Sequence, residues 1–245
     1  MAMATTTQEK WVDKYRPKSF KDFVGNRDTL TEIEGFILSG SIPHLFFYGE
    51  VGTGKTALAE VIALKLLGEG GSGLIELNAS DDREEADIKK KVLKPINYIP
   101  FGANIENYRW IVLFDEAEGL KPTAQGILKR PMEKQKKTIF VYTTNEETKI
   151  IEAIKSRCSC FEFKPLSDND IIEGLKRIAV KESLNMSDNT LMEIAKKSKG
   201  DMRSAINELQ KLASLSNRNA EIDKIVAQYM KAQPQPQAQQ QGVKV

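Results

Sequence analysis

Residues 45–56, LFFYGEVGTGKT, limit what this chain can fold into more than any other stretch. A short apolar run (Leu45, Phe46, Phe47, Tyr48) leads into Gly49, four further residues, and then Gly54, Lys55 and Thr56. This is the spacing G-x-x-x-x-G-K-[ST], a loop that cradles phosphate. Glycines at 49, 52 and 54 let the backbone turn its amides inward, Lys55 can reach β- and γ-phosphates, and the Thr56 hydroxyl can take a magnesium position. Gly49, Glu50, Val51, Gly52, Thr53, Gly54, Lys55, Thr56 and Ala57 are therefore the expected binding residues for a nucleotide triphosphate. The motif has this meaning only between a strand and a helix, whose positive N-terminus favours an anion. Both are expected: residues 57–67 carry Ala and Leu at helical spacing, and Gly68 stands where such a helix would stop.

The second half of the site lies further along. Residues 110–114, WIVLF, form a continuous apolar run closed by Asp115 and Glu116, as in a buried parallel strand with acidic residues at its C-terminal end. Doubly wound sheets place ligands at strand C-termini. Asp115 is expected to hold magnesium, directly or through water, and Glu116 to orient and polarise the water that attacks the γ-phosphate.

Around these anchors strands and helices alternate, which predicts a parallel α/β sheet. Strands are expected over 45–48, 74–77, 110–114, 138–142 and 160–163, the fourth ending in Thr143, Thr144 and Asn145 at the same sheet edge. Helices are expected over 28–38, over 83–94 with Ser80 or Asp81 as cap, over 123–134 with an interruption at Pro131, and over 149–156. Residues 11–25 read as an amphipathic strap laying aromatics on a core. From the capping signal at 166–168 the chain turns all-helical, over 168–182, 187–198 and 201–215, with a fourth helix over 221–231. The expected division is an ATPase core over 1–164, a helical lid over 165–231, and a Gln/Pro-rich disordered tail over 232–245. The first ten residues are expected to fray.

Composition narrows the function classes. With 40% hydrophobic and 29% charged residues, the 245-residue chain is of the globular type. A net charge of +2 makes any nucleic-acid surface local. Cys158 and Cys160 lie too close to staple distant parts, and with one histidine, His44, no zinc set can be assembled. A reducing intracellular compartment follows, cytoplasm in a prokaryote or archaeon and nucleus in a eukaryote, and no apolar run of membrane-spanning length is present.

The assembled motifs resemble an AAA+ ATPase, more narrowly a sliding-clamp loader subunit of the replication factor C small-subunit kind. The resemblance rests on KYRPKSF and VGN near the start, the phosphate loop, ELNASD at 76–81, DEAE at 115–118, MEK at 132–134, KIIEAIKSRC at 149–158 and GDMRSAINELQ at 200–210. It implies ATP and Mg2+ as cofactors, other clamp loader subunits in a five-membered hetero-oligomer as partners, and a sliding clamp and primed DNA as substrates. It further implies that Asn145 is a sensor of the γ-phosphate or attacking water, and that Arg157 is an arginine finger acting on the neighbouring subunit's ATP. Arg203 matches a second sensor, although it could simply pair with Asp201 or Glu208. Tyr15, Arg16 and Val24 match positions that close over adenine.

The departures matter too. Glu50 and Val51 replace two prolines usual in clamp loaders, and DEAE replaces DEAD while leaving Asp115 and Glu116 in place. Arg83, Lys89 and Lys91 align with basic DNA-tracking positions, but Glu84 and Glu85 stand beside them and would repel phosphate, and the lysines at 89–91 read equally as a solvated face. The resemblance implies a third, collar domain, which lies beyond the residues present. Two rival readings stay open: a regulatory subunit that holds ATP with little turnover, and another AAA+ DNA remodeller such as a branch-migration motor.

Overall fold

A computed structural model of the chain describes residues 9–68, 73–103, 108–215 and 229. Residues 1–8, the core of the glycine-rich connector at 69–72, the expected fourth helix apart from Tyr229, and the Gln/Pro-rich tail lie outside the described residues.

Five parallel strands form one sheet: β1 (His44–Gly49), β2 (Gly73–Asn78), β3 (Trp110–Asp115), β4 (Thr138–Thr144) and β5 (Cys158–Phe163), in the order β2-β3-β4-β1-β5. Side chains alternate across a strand, so each apolar run feeds two cores. Leu45, Phe47, Ile111, Leu113, Ile139 and Val141 point to one face. Phe46, Val112, Phe114, Phe140 and Tyr142 point to the other. The first face is covered by α2 (Arg27–Ser39) and α3 (Lys55–Leu67), the second by α5 (Pro122–Lys134) and α6 (Glu152–Lys155). Register aligns Phe114 with Tyr142 and Phe47 with Thr143, which brings Asp115, Thr143 and the phosphate loop to one edge.

Three expectations need correction. The helix expected over 83–94 is α4 (Glu85–Ile88) followed by a π-helical turn, Lys89–Leu93. Its cap is Glu84, paired in a capping box with Asp87, because the helix begins at Glu85, beyond reach of Ser80 as an N-cap; the Ser80 hydroxyl instead donates to Glu116. In the π turn Lys94 N bonds Lys89 O at 3.0 Å, and Ile88, Val92 and Ile96 all reach the second core. Pro131 does not interrupt α5: it sits in the last turn, its carbonyl still accepts from Gln135 N, and buried Leu128 and Met132 hold the helix down on both sides of it. The helix expected over 149–156 is shorter, a 3-10 turn at Glu147–Lys149 and then α6.

The last helices, α7 (Asp168–Lys181), α8 (Asp188–Ser198) and α9 (Met202–Leu215), share a third core. Ser167, within the expected capping signal, caps α7 in a box with Asp170. The strap serves two cores. Trp11, on α1 (Trp11–Lys14), is buried among the last helices, while Phe20 and Phe23 are buried against the sheet. Trp11 N donates to Gln210 Oε1 at 2.9 Å, and Gln210 Nε2 donates back to Glu9 O at 3.1 Å. Each buried aromatic removes roughly 150–250 Å² from water, an upper-bound gain of about 4–6 kcal/mol apiece. The strap therefore ties the helical cluster to the sheet on one side of a cleft.

His44 is a packing residue. Its Nε2 donates to Met132 O at 2.8 Å and its Nδ1 accepts from Phe140 N, which fixes the neutral tautomer. Burial lowers its pKa further.

Candidate active site

Between sheet edge, strap and last helices lies a cavity of about 1170 Å³. The phosphate loop forms its floor. Gly49 has a φ of +132°, and a Cβ there would stand 2.2 Å from Phe163 O; Gly52 has a φ of +73°, and a Cβ there would stand 1.7 Å from Asp201 Oδ1. Neither position can carry a side chain without displacing its neighbour. Gly54 precedes Lys55, the first residue of α3, so the helix N-terminus opens onto the cavity.

Lys55 is 6% exposed, and its ammonium donates to Gly49 O at 2.8 Å and Glu50 O at 2.7 Å. Those carbonyls hold it beneath the loop. Burial pushes its pKa down to about 8, against the opposing pull of Glu118, Asp115 and Glu50. Thr53 Oγ1 braces the loop by donating to Glu50 O at 2.8 Å.

The acidic half faces it. Asp115 Oδ1 accepts from Thr56 Oγ1 at 2.7 Å and also from Thr143 Oγ1. Thr143 Oγ1 in turn accepts from Glu116 N at 3.3 Å. Glu116 has a φ of +53°, a left-handed conformation that costs a non-glycine residue about 1–3 kcal/mol and that clusters at functional sites. Its Oε2 accepts from Ser80 Oγ at 2.7 Å. Asn145 follows β4, and Glu118 Oε1 accepts from its backbone N at 3.2 Å and its Nδ2 at 3.1 Å.

Most residues expected at the site line this one cavity: Tyr15, Arg16, Val24, residues 51–57, Asp115, Glu116, Asn145 and Arg203. Gly49 and Glu50 do not line it; they act through the carbonyls that hold Lys55. Tyr15 OH donates to Glu182, and Arg16 pairs with Glu60 at 3.1 Å. Asp201 and Glu208, the partners considered for Arg203, are engaged by other groups: Asp201 Oδ1 accepts from Ser204 N, and Glu208 pairs with Lys197. Arg157 lies away from the cavity, where its guanidinium meets Glu133 and donates to Ala153 O at 2.6 Å. Arg83, Lys89 and Lys91 are likewise outside it and engaged within the chain: Arg83 with Ser80 O, Lys89 with Glu85, Lys91 with Asp82.

Sequence reasoning missed five residues. Ser80 and Glu118 sit beside singled-out motifs, but nothing in their spacing announces their partners. Asp201 is legible as a cap of α9, not as a neighbour of Gly52. Met202 N donates to Gly52 O at 3.1 Å, so the last helix is hydrogen-bonded directly to the phosphate loop. Gln125 is fully buried: its Nε2 donates to Leu120 O and Lys149 O, each at 3.0 Å, and its Oε1 accepts from Ile151 N at 2.8 Å. It ties α5 to the segment leading into α6.

Comparison with known proteins agrees with this arrangement. The model of the AAA family, ATPases associated with various cellular activities, matches residues 45–166, and that of the RCF1/5-like AAA+ ATPase lid domain matches residues 173–214. The replication factor C small subunit of Methanococcus maripaludis is 38% identical over 221 residues, which cover 87% of this chain and 68% of that protein. The same-named protein of Thermofilum pendens is 36% identical, covering 93% and 70%, and that of Halobacterium salinarum 39%, covering 83% and 62%. The chain thus spans about two thirds of the length of these relatives. Among solved structures, the Thermotoga maritima RuvB Holliday junction branch migration motor superposes with a TM-score of 0.70 at 20% identity, covering 89% of this chain and 72% of that one, a likeness of fold. The identity to replication factor C small subunits, carried through both the sheet and the helices that close over it, establishes that the chain belongs to the replication factor C small-subunit family of AAA+ ATPases.

Proposed function

We propose that this chain is an ATP-binding and ATP-hydrolysing subunit of a sliding-clamp loader, whose ring opens a clamp and places it on primed DNA. One observation carries the reading: Lys55, Thr56, Asp115, Glu116, Asn145 and Arg203 converge on one cavity, while Arg157 stands outside it. An arginine so placed suits a finger that completes a neighbour's site, an addition worth about 10³–10⁵ in rate. The nucleotide's phosphates would sit on the amides of residues 51–56 with the Lys55 ammonium against them, and Tyr15, Arg16 and Val24 would close over the base.

Thr56 and Asp115 would hold magnesium. The donor set fits, because Mg2+ favours one hydroxyl or carboxylate oxygen beside phosphates and retained waters over a cage of protein ligands. Among the described residues no cluster of three or more His, Cys, Asp or Glu suggests such a cage. When bound, the ion neutralises charge on the β- and γ-phosphate oxygens. Glu116 then has the task of orienting the attacking water and taking up its proton, for which its carboxylate must leave Ser80. Arg203, at the start of α9, senses the phosphates from the helical side, and Met202 and Asp201 carry that signal to Gly52.

The division into a core over 1–164 with its strap at 11–25, a lid over 165–231 and a tail over 232–245 goes with this reading. So does an intracellular location, cytoplasm or nucleus by source; no helix among the described residues is long and apolar enough to cross a membrane. DNA at Arg83, Lys89 and Lys91 would have to displace the Ser80, Glu85 and Asp82 contacts, so that surface contributes modestly. The fold likeness to a branch-migration motor favours no second reading.

Glu116→Gln tests the proposal. It should leave nucleotide affinity intact and lower turnover about 10²- to 10⁴-fold, with the wild type stimulated by primed DNA and clamp. Equal turnover in both proteins would instead indicate a regulatory subunit.

A further inference from the structure

Among the described residues a single buried side-chain oxygen has no hydrogen-bond partner, Glu118 Oε2. Buried polar groups are almost always satisfied, and an unpaired one costs stability. The other oxygen is fully used: Glu118 Oε1 accepts both the backbone N and the Nδ2 of Asn145. A carboxylate has no proton to give, so the Asn145 carboxamide can face it only with its NH2 end. Oδ1 is thereby turned away from Glu118. Glu118 itself does not line the nucleotide cavity, whereas Asn145 does, beside Glu116.

We propose that Glu118 is the positioning residue of Asn145, fixing which end of its carboxamide is offered to the reacting water. Two bonds from one oxygen to main chain and side chain pin the residue's backbone and its rotamer together. Without them Asn145 follows a strand end as an exposed residue, free to rotate its amide. With them Oδ1 is held as an acceptor for a water proton while the remaining Nδ2 hydrogen stays available to a phosphate oxygen. Glu118 also stands first among the carboxylates whose charge bears on Lys55, which places it within electrostatic reach of the phosphate loop. The short 3-10 turn Ala117–Gly119 holds Glu118 directly behind the Asp115–Glu116 pair, so one turn serves the metal position, the water and the sensor.

This inference rests on the hydrolytic reading above, and steady-state ATP hydrolysis separates the two. The set is wild type, Glu118→Ala, Glu118→Leu, Glu118→Gln, Asn145→Ala and the Glu118→Ala/Asn145→Ala double variant, each also titrated with a fluorescent ADP analogue. Glu118→Leu roughly keeps the buried volume and removes the acceptor together with the charge, while Glu118→Gln removes the charge alone. Glu118→Ala and Glu118→Leu should lower kcat about 10- to 100-fold, the usual consequence of a misplaced reacting group, with KM and ADP affinity within about 2-fold of wild type. Glu118→Gln, which keeps an acceptor oxygen, should restore most of the loss, and the double variant should be no slower than Asn145→Ala. If Glu118→Gln is as slow as Glu118→Ala, the effect is one of charge on Lys55 and the inference falls. If the double variant multiplies the single losses, the two residues act separately and it falls as well. A wild type that turns over normally beside unaffected Glu118 variants overturns the inference alone. A wild type with no turnover overturns the hydrolytic reading and the inference with it.

Discussion

Replacing Gly52 with alanine puts the junction between phosphate loop and last helix under load. At a φ of +73° an L-residue pays about 1–2 kcal/mol. The new Cβ would lie 1.7 Å from Asp201 Oδ1 and 2.2 Å from its Cγ, so the carboxylate must leave. Leaving breaks the cap of α9, in which Asp201 Oδ1 accepts from Ser204 N at 3.0 Å, worth about 1 kcal/mol. The same displacement pulls Met202 N off Gly52 O, worth about 1 kcal/mol more. Gly52→Ala should therefore cost about 3–4 kcal/mol. Asp201→Ala alone should cost about 1 kcal/mol, the cap. With Asp201 already gone, adding the methyl costs only the backbone strain, so the double variant should lose about 2–3 kcal/mol, well short of the sum of the singles. Urea unfolding of the three variants measures this, with Gly35→Ala as control: that glycine lies within α2 with nothing within 4 Å of a new Cβ, and the change should stabilise by about 0.5–1 kcal/mol. If the Gly52 and Asp201 losses add to within about 0.5 kcal/mol, the contact between loop and helix does not exist in solution.

Three more outcomes are expected. The Lys55 pKa falls from 10.5 to about 8 on folding, so over pH 8 to 10.5 the unfolded chain binds more protons than the folded one and stability rises with pH; Lys55→Met should flatten that rise in urea titrations across the window. Gln125→Ala leaves Leu120 O, Lys149 O and Ile151 N without their side-chain partner and should cost about 3–5 kcal/mol in the same assay, whereas a loss under 1 kcal/mol would mean that water takes its place. Arg157→Ala should leave nucleotide affinity of its own chain unchanged, because the guanidinium lies outside the cavity, while assembled turnover falls about 10³-fold or more.

The central strands β1, β3 and β4 were legible because each holds an apolar run longer than a turn and shorter than a helix, and because β3 and β4 end in polar residues that a parallel sheet must gather at one edge; β2 and β5 alternate apolar and polar residues instead. Lys55, Thr56, Asp115 and Glu116 followed from local spacing alone. The contacts that join the site to the rest of the molecule were not legible, for one physical reason: they pair residues from different elements whose proximity the strand order decides. Ser80 meets Glu116 because β2 neighbours β3, and Glu118 meets Asn145 because β3 neighbours β4. Glu84 caps in place of Ser80 because α4 begins only at Glu85, a start that the sequence pattern places two residues too early. Pro131 misled because the penalty of a lost backbone bond is small in a last turn flanked by buried Leu128 and Met132. The strap read correctly as amphipathic, but a pattern of aromatics cannot say that Trp11 and Phe20 belong to different cores.

The central claim is that Arg157 completes a site on another subunit. ATP hydrolysis per chain, measured as protein concentration rises with and without primed DNA and the matching clamp, tests it most directly. Rates that climb with concentration, jump with DNA and clamp, and lose the climb in Arg157→Ala are the expected result. A rate per chain that is independent of concentration, and equal in wild type and Arg157→Ala, would contradict it.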